Sequence, residues 1–347
     1  MALLTSSKLE LYCWTGKWEE KPANAQYTIE KSNPDSNNVI RFEVAELVQD
    51  YIDITFNNNY SEGSIKTACW WSYDKTNTYS DLQAPTIHTG YGIGTKGYTY
   101  FEDGINSATS LTKLISNQHI YVPENQNINI PVYKGPGGAT NVRYYSKDIS
   151  GNERVSHPDD IQLYEQNPKG PEDANSYIHY SSVSGTFSKI EVVSANKVET
   201  IYVNYIDCSK YTNYKIAFIN KFGAIQDLWF SKKRTDGLNV KRESFNTNTV
   251  YSTQTAVSYN TYTPTNIIQD VLSKKTLTLN TGFVKEEYNE TIRQLMQSED
   301  AWIIENGKSY PVNIKDSSFD YKTHLNDKLV NYTVQFEYAY DGINTVR

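Results

Sequence analysis

The chain has 347 residues, enough for two or three domains, and carries a net charge of -7. That acidic balance argues against a nucleic-acid-binding protein, because a phosphate-reading surface needs a basic excess. Twenty-nine tyrosines lift the aromatic fraction to 13%, while Leu and Ala are scarce, so the composition predicts a mainly β protein.

The first domain is expected over residues 1–134. Met1 to Thr5 has no basic region and no long apolar run, so no cleaved signal is expected; no window is apolar enough for a membrane span. Leu9, Leu11 and Cys13 alternate with polar residues as in a strand, and Tyr27 and Ile29 mark a second. Residues 33–38 are a dense turn cluster, after which residues 39–42 restart a strand. Val44, Leu47, Val48, Tyr51 and Ile52 recur at helical spacing. Residues 65–73 read as a strand whose Trp70 and Trp71 face opposite sides, one in the core and one covered by a neighbour or partner. Residues 74–97 are turn-rich, 98–101 a strand, and 115–122 with 128–133 a hairpin.

Lys134-Gly135-Pro136-Gly137-Gly138 punctuates the chain before a middle β domain over residues 135–207. Its strands are expected at 141–149, 161–164, 177–180, 189–193 and 199–205, with 157–160 and 167–173 as polar loops. A C-terminal β domain, residues 208–347, opens with a hairpin: strand 214–219, turn 220–223 and return strand 228–230. Residues 232–242 are locally basic, 246–265 are an extended edge pair or a long arm, and 267–272 are a helical turn or part of a strand. A strand containing Leu277 and Leu279 leads to a helix over 284–298, its apolar stripe made by Val284, Tyr288, Ile292, Leu295 and Met296. Asn306-Gly307 supplies the two positive-φ residues of a type I′ turn between strands 301–304 and 310–314. In the last strand Tyr332, Val334, Phe336, Tyr338 and Tyr340 share one face, which puts Tyr332, Phe336 and Tyr338 in the core.

No catalytic, cofactor or metal constellation emerges. Gly92-Ile93-Gly94-Thr95-Lys96-Gly97 matches a dinucleotide fingerprint but lacks a strand before it and a helix after it, so it reads as a flexible glycine loop. His88, His119, His157, His179 and His324 have no metal-ligand spacing. The acid pairs Asp159/Asp160 and Glu299/Asp300 read as solvated loops, as does the Asp35, Asn37, Asn38 cluster. Cys13, Cys69 and Cys208 are far apart and read as reduced thiols. The remaining cue is aromatic: Trp70, Trp71 and Trp229 are candidates for an interface or a glycan-stacking platform.

Three segments carry a resemblance. They are residues 39–52 (Val-Ile-Arg-Phe-Glu-Val-Ala-Glu-Leu-Val-Gln-Asp-Tyr-Ile), residues 214–230 with Leu228-Trp229-Phe230, and the run from Leu295 through Trp302 and Pro311-Val312-Asn313-Ile314 to residues 331–339. In order and spacing they are similar to structural proteins of tailed bacteriophages, particularly phages of Bacteroidetes-type hosts. The resemblance implies a non-enzymatic tail, baseplate or neck subunit located in the virion, partnered by its own copies and other tail proteins in a ring. It implies no site residues. The expected fold is mainly β, with two or three antiparallel β-sandwich-like domains, the C-terminal one a β-sheet with a packed α-helix and tail-tube-like by analogy. An alternative is a carbohydrate- or receptor-binding β-sandwich module using Trp70, Trp71 or Trp229. A glycoside hydrolase would need two cleft carboxylates that the sequence does not locate.

Overall fold

The structure, a computed structural model, describes residues 3–80, 84–104, 112–164, 173–206, 210–252, 254–316, 320 and 329–342. It is mainly β, built of several largely antiparallel sheets with one short C-terminal helix.

Alternation in Leu4–Trp14 gives the first sheet its two faces. The strand order is Tyr27–Ser32, Leu4–Trp14, Ala68–Tyr79, Thr86–Thr95, all antiparallel. Leu11, Cys13 and Cys69 face Val48 from the helix Ala45–Asp50 and Ile52 just after it, while Trp14 and Trp70 point the other way. Residues 39–42, expected to be a strand, join no ladder. They run from an Asx turn, in which Asp35 Oδ1 accepts from the Asn37 and Val39 amides at 2.9 Å each, straight into the helix. Residues 98–101 also form no strand, and Phe101–Asp103 is a single 3-10 turn.

Within 74–97, residues 74–79 and 86–95 are not turn-rich loop but lie in two paired strands, and the glycines explain why. Cβ atoms added at Gly90, Gly92 and Gly94 would lie 2.5 Å from the Tyr73 ring, 3.0 Å from the Trp71 ring and 2.3 Å from Val48 Cγ1. The glycines therefore form a trough that receives rings and the helix; the dinucleotide-like spacing is a packing pattern. Gly97 is less forgiving, since its Cβ would meet backbone, the Lys221 carbonyl oxygen at 2.7 Å and the Phe222 carbonyl carbon at 2.9 Å. Gly97→Ala should cost about 1–3 kcal/mol in a denaturant titration, because the obstructing atoms are backbone and cannot swing aside.

The middle region is a sandwich. One sheet runs His119–Pro123, Val198–Ile206, Lys189–Ser194, Ala139–Lys147, Glu153–Asp160, and the facing pair is Asn127–Tyr133 with Ile178–Ser184. Val122, Ile128, Ile130, Val132, Val142, Tyr144, Ile190, Val192 and Ile201 fill the space between them. Three readings are corrected here. The strands near 115–122 and 128–133 do not form a hairpin with each other; the first pairs parallel with Val198–Ile206 and the second antiparallel with Ile178–Ser184. Residues 157–160 are not a loop but part of the edge strand Glu153–Asp160, while 161–164 join no ladder. Both strands at 119–133, placed before residue 134 by sequence grouping, thus complete the sandwich that follows it.

The third sheet has seven strands in the order Ile225–Phe230, Tyr214–Ile219, Ala301–Glu305, Lys308–Ile314, Thr333–Tyr338, Asn266–Asn280, Thr235–Asn246. Asn306 and Gly307 have φ of 51° and 76°, as the type I′ turn requires. Tyr332, Val334, Phe336 and Tyr338 are buried against Tyr288, Ile292 and Leu295, so the last strand has the expected register, although Tyr340 is exposed. The helix is shorter than 284–298 and spans Asn289–Gln297. Val284–Lys285 instead pairs with Leu329–Val330, and Glu286–Tyr288 is a 3-10 turn. Tyr121 Oη accepts from the Lys285 amide at 2.7 Å and holds this extended entry.

Cys13 and Cys69 are buried and unbridged; Cys208 lies outside the described residues. Burial pushes the Cys13 thiol up to about 11 and the Cys69 thiol up to about 12. Neither forms the reactive thiolate at pH 8. Peptide mapping after iodoacetamide treatment at pH 8 should find both unlabelled in the folded chain and labelled in urea. A thiol whose folded pKa is raised keeps its proton when the unfolded chain has lost it. These two groups therefore stabilise the fold fully below the unfolded pKa near ~8.5, and that term does not grow with pH; it declines above that value.

Candidate functional site

Two features stand apart from the cores. The first is a projecting hairpin. Thr235–Asn246 and Asn266–Asn280 pair along their length, but Asn266–Asn280 meets a third strand only at residues 276–280. Beyond Gly237 and Thr276 the hairpin is a two-stranded ribbon, with Val250–Ser252 and Val257–Tyr259 pairing at its tip. Residues 238–246 alone reach about 30 Å at ~3.3 Å per residue. Among the described residues no apolar side chain between Ser231 and Thr276 is buried. Leu238, Val240, Phe245, Val257, Ile268 and Leu272 are all exposed, Leu238 to 59% and Val257 to 71%. Thus residues 246–265 and 267–272 resolve as arm tip and strand, not as helix.

Arg234 fixes the root of the arm. Its Nε donates to Asp236 at 2.6 Å, another guanidinium N–H donates to Glu305, and a third reaches Tyr338 Oη at 3.3 Å. Tyr338 in turn donates to Glu305 at 2.9 Å. A planar guanidinium with several donors suits a junction where three strands must be held in one geometry. Residues 232–275 hold seven basic and three acidic side chains, a net +4 in a chain of -7, so the remainder carries -11.

The second feature is a cleft where three parts of the chain meet. The hairpin 214–230 sets its floor. Lys215, Asp227 and Trp229 alternate onto one face, and the register puts Lys215 opposite Trp229, diagonal to Asp227. Lys215 Nζ lies 3.5 Å from Asp227 Oδ2 and donates to Asn58 Oδ1 at 2.9 Å. Asn129 Nδ2 donates to Asp227 at 2.8 Å, Tyr60 donates to its other oxygen, and Ser182 donates to Asn129 at 2.6 Å. Burial, and then the Asp227 carboxylate, push the Tyr60 hydroxyl well above the usual tyrosine range, so it remains a donor. The network ties the 57–62 turn, the middle sandwich and the third sheet together. Two lobes open above it, of about 560 and 520 Å³, sharing Asn58, Tyr60 and Asn127.

The three sequence-selected tryptophans separate. Trp70 is buried in the interior, edge-on to Tyr177 and donating its indole N–H to the Gly16 carbonyl at 3.0 Å. Trp71 lies on the opposite face, stacked on Tyr73 with ring centroids 6.1 Å apart and over Gly92. Only Trp229 lines the cleft. Asp159, from the misread edge strand, comes to the second lobe with His157 and His179, and His179 Nε2 lies 3.1 Å from Asp159 Oδ2. That bond from His179 holds the Asp159 carboxyl below the usual carboxylate range. Asp300 is half-buried elsewhere, its carboxyl pushed up by burial, and Glu299 makes an exposed ion pair with Lys96 at 3.4 Å. His324 lies outside the described residues.

The sequence reading missed Lys215 and Asp227. Both were visible in principle, since a hairpin closed at Asn220–Gly223 places them on the same face as Trp229. Asn58, Tyr60 and Asn129 come from distant segments and carry no such signal. No family model matches the chain, and no curated protein matches it.

Proposed function

We propose that the chain is a non-enzymatic structural subunit of a tailed-bacteriophage virion, a tail, baseplate or neck component that closes into a ring. The observation that carries the assembly half of this reading is the ribbon at 238–275. A two-stranded hairpin is marginal alone in water, and this one exposes apolar residues along its length and buries none among the described residues. Such an edge is a pairing surface that needs a cover. The cover is a second copy, because the ribbon carries net +2 and the rest of the chain -9, so the arm of one subunit complements the body of the next. Arm onto body is a heterologous contact, which closes into a ring when its rotation divides the circle. The phage half rests on the resemblance in residues 39–52, 214–230 and 295–339.

Sedimentation velocity on the purified chain tests the assembly. A single species of several subunits is expected, shifting toward monomer at high salt as the arm–body attraction is screened. A monomer at every concentration and ionic strength would refute it.

A further inference from the structure

We infer that the cleft floored by Lys215, Asp227 and Trp229 binds a neutral oligosaccharide. This does not rest on ring assembly. The lining selects the chemistry. Six amide residues, Asn58, Asn125, Gln126, Asn127, Asn129 and Asn213, line one lobe, of which Asn58 and Asn129 also bond within the Lys215–Asp227 network. Each amide carries donors and an acceptor, the pairing a sugar hydroxyl presents in return. Ile304 is the one aliphatic side chain lining that lobe among the described residues, so an acyl chain or apolar ring finds little cover.

An anion is disfavoured on charge. Lys215 is the only Lys or Arg among the described lining residues of the two lobes, and Asp227 already neutralises it at 3.5 Å. Glu62 and Asp159 face the second lobe, where a phosphate or sulfate would be repelled.

Two groups on residues lining the first lobe lack a hydrogen-bond partner among the described residues. Asn213 Oδ1 is buried without a hydrogen-bond partner among the described residues. The Trp229 indole N–H makes no hydrogen bond there either, unlike the Trp14 and Trp70 indoles, which donate to the Lys17 and Gly16 carbonyls at 3.0 Å each. Buried polar groups are nearly always paired, so the Asn213 acceptor asks for a partner, while the indole N–H, which is not sealed from solvent, is a donor free to meet a ligand. A sugar hydroxyl, both donor and acceptor, can serve either group. The paired lobes, about 560 and 520 Å³, lie within the ordinary ~300–1,000 Å³ range of ligand sites and accommodate an extended chain of sugars.

Isothermal titration of the full chain with gluco-, xylo-, manno- and chito-oligosaccharide hexamers tests this. At least one should bind with a millimolar or lower Kd. The double variant Gln126→Ala/Asn127→Ala should weaken that binding about tenfold, the loss expected for one or two missing hydrogen bonds. Both side chains are exposed, so the fold should be unaffected. Asn213→Ala should weaken binding in the same direction. The inference is overturned if no hexamer binds at millimolar concentration, if binding survives these variants unchanged, or if a sulfated hexasaccharide binds more tightly than its neutral counterpart.

Discussion

Replacing residues 239–274 with an Asn-Gly turn should give a chain that folds normally and no longer assembles. Leu238 and Lys275 are paired in the native hairpin, so a two-residue type I′ turn joins them without altering the register below. The cores lose nothing, since among the described residues no buried apolar side chain lies between Ser231 and Thr276. Shortening the loop also lowers the closure entropy slightly. Stability of the monomeric fold should therefore change by about 1 kcal/mol or less in a denaturant titration. Assembly should be abolished, because the removed ribbon supplies the whole of the proposed contact. The Arg234 clamp to Asp236, Glu305 and Tyr338 stays in place and keeps the stump in the sheet.

Asp227→Ala should destabilise the fold by about 3–5 kcal/mol. The Lys215–Asp227 pair is about nine-tenths buried on both sides. Removing the carboxylate leaves the Lys215 charge uncompensated and takes the acceptor from Tyr60 and Asn129 at once. The contrast is Glu10→Ala, which breaks the exposed Lys8–Glu10 pair and should leave the denaturant midpoint unchanged. Because Asp227 joins segments from three regions, its loss should also loosen the junction. Hydrogen exchange should quicken at residues 57–62 and 125–129 before it does in the sheet around Phe336. Equal quickening in both places would show that the network does not act as the junction tie.

How much was legible in the sequence depended on whether burial left a periodic trace. The final strand was readable because apolar and polar residues alternate there, and the Asn306-Gly307 turn and the hairpin 214–230 because turn residues separate short apolar runs. Glu153–Asp160 and Thr235–Asn246 were not, for the opposite reason: almost every side chain in them is exposed, so no period-two pattern exists. Thr86–Thr95 was hidden by its glycines, which mimic a loop when the rings filling their trough are out of view. Pairing partners were the hardest to see. Nothing local tells His119–Pro123 that it lies parallel to Val198–Ile206, some eighty residues on, and not against the adjacent Asn127–Tyr133. The cleft was obscured in the same way, since its amides come from turns and edges with no pattern of their own. Of the aromatic cues, the tryptophan doublet marked the core and its covered outer face, while the single Trp229 marked the cleft.

The account turns on where the arm goes. Cryo-electron microscopy of the purified full-length chain answers this directly. A closed ring is expected, with residues 238–275 of each subunit lying along the acidic body of its neighbour and Leu238, Val240 and Ile268 covered there. Isolated subunits, or a ring in which that ribbon extends into solvent, would contradict it.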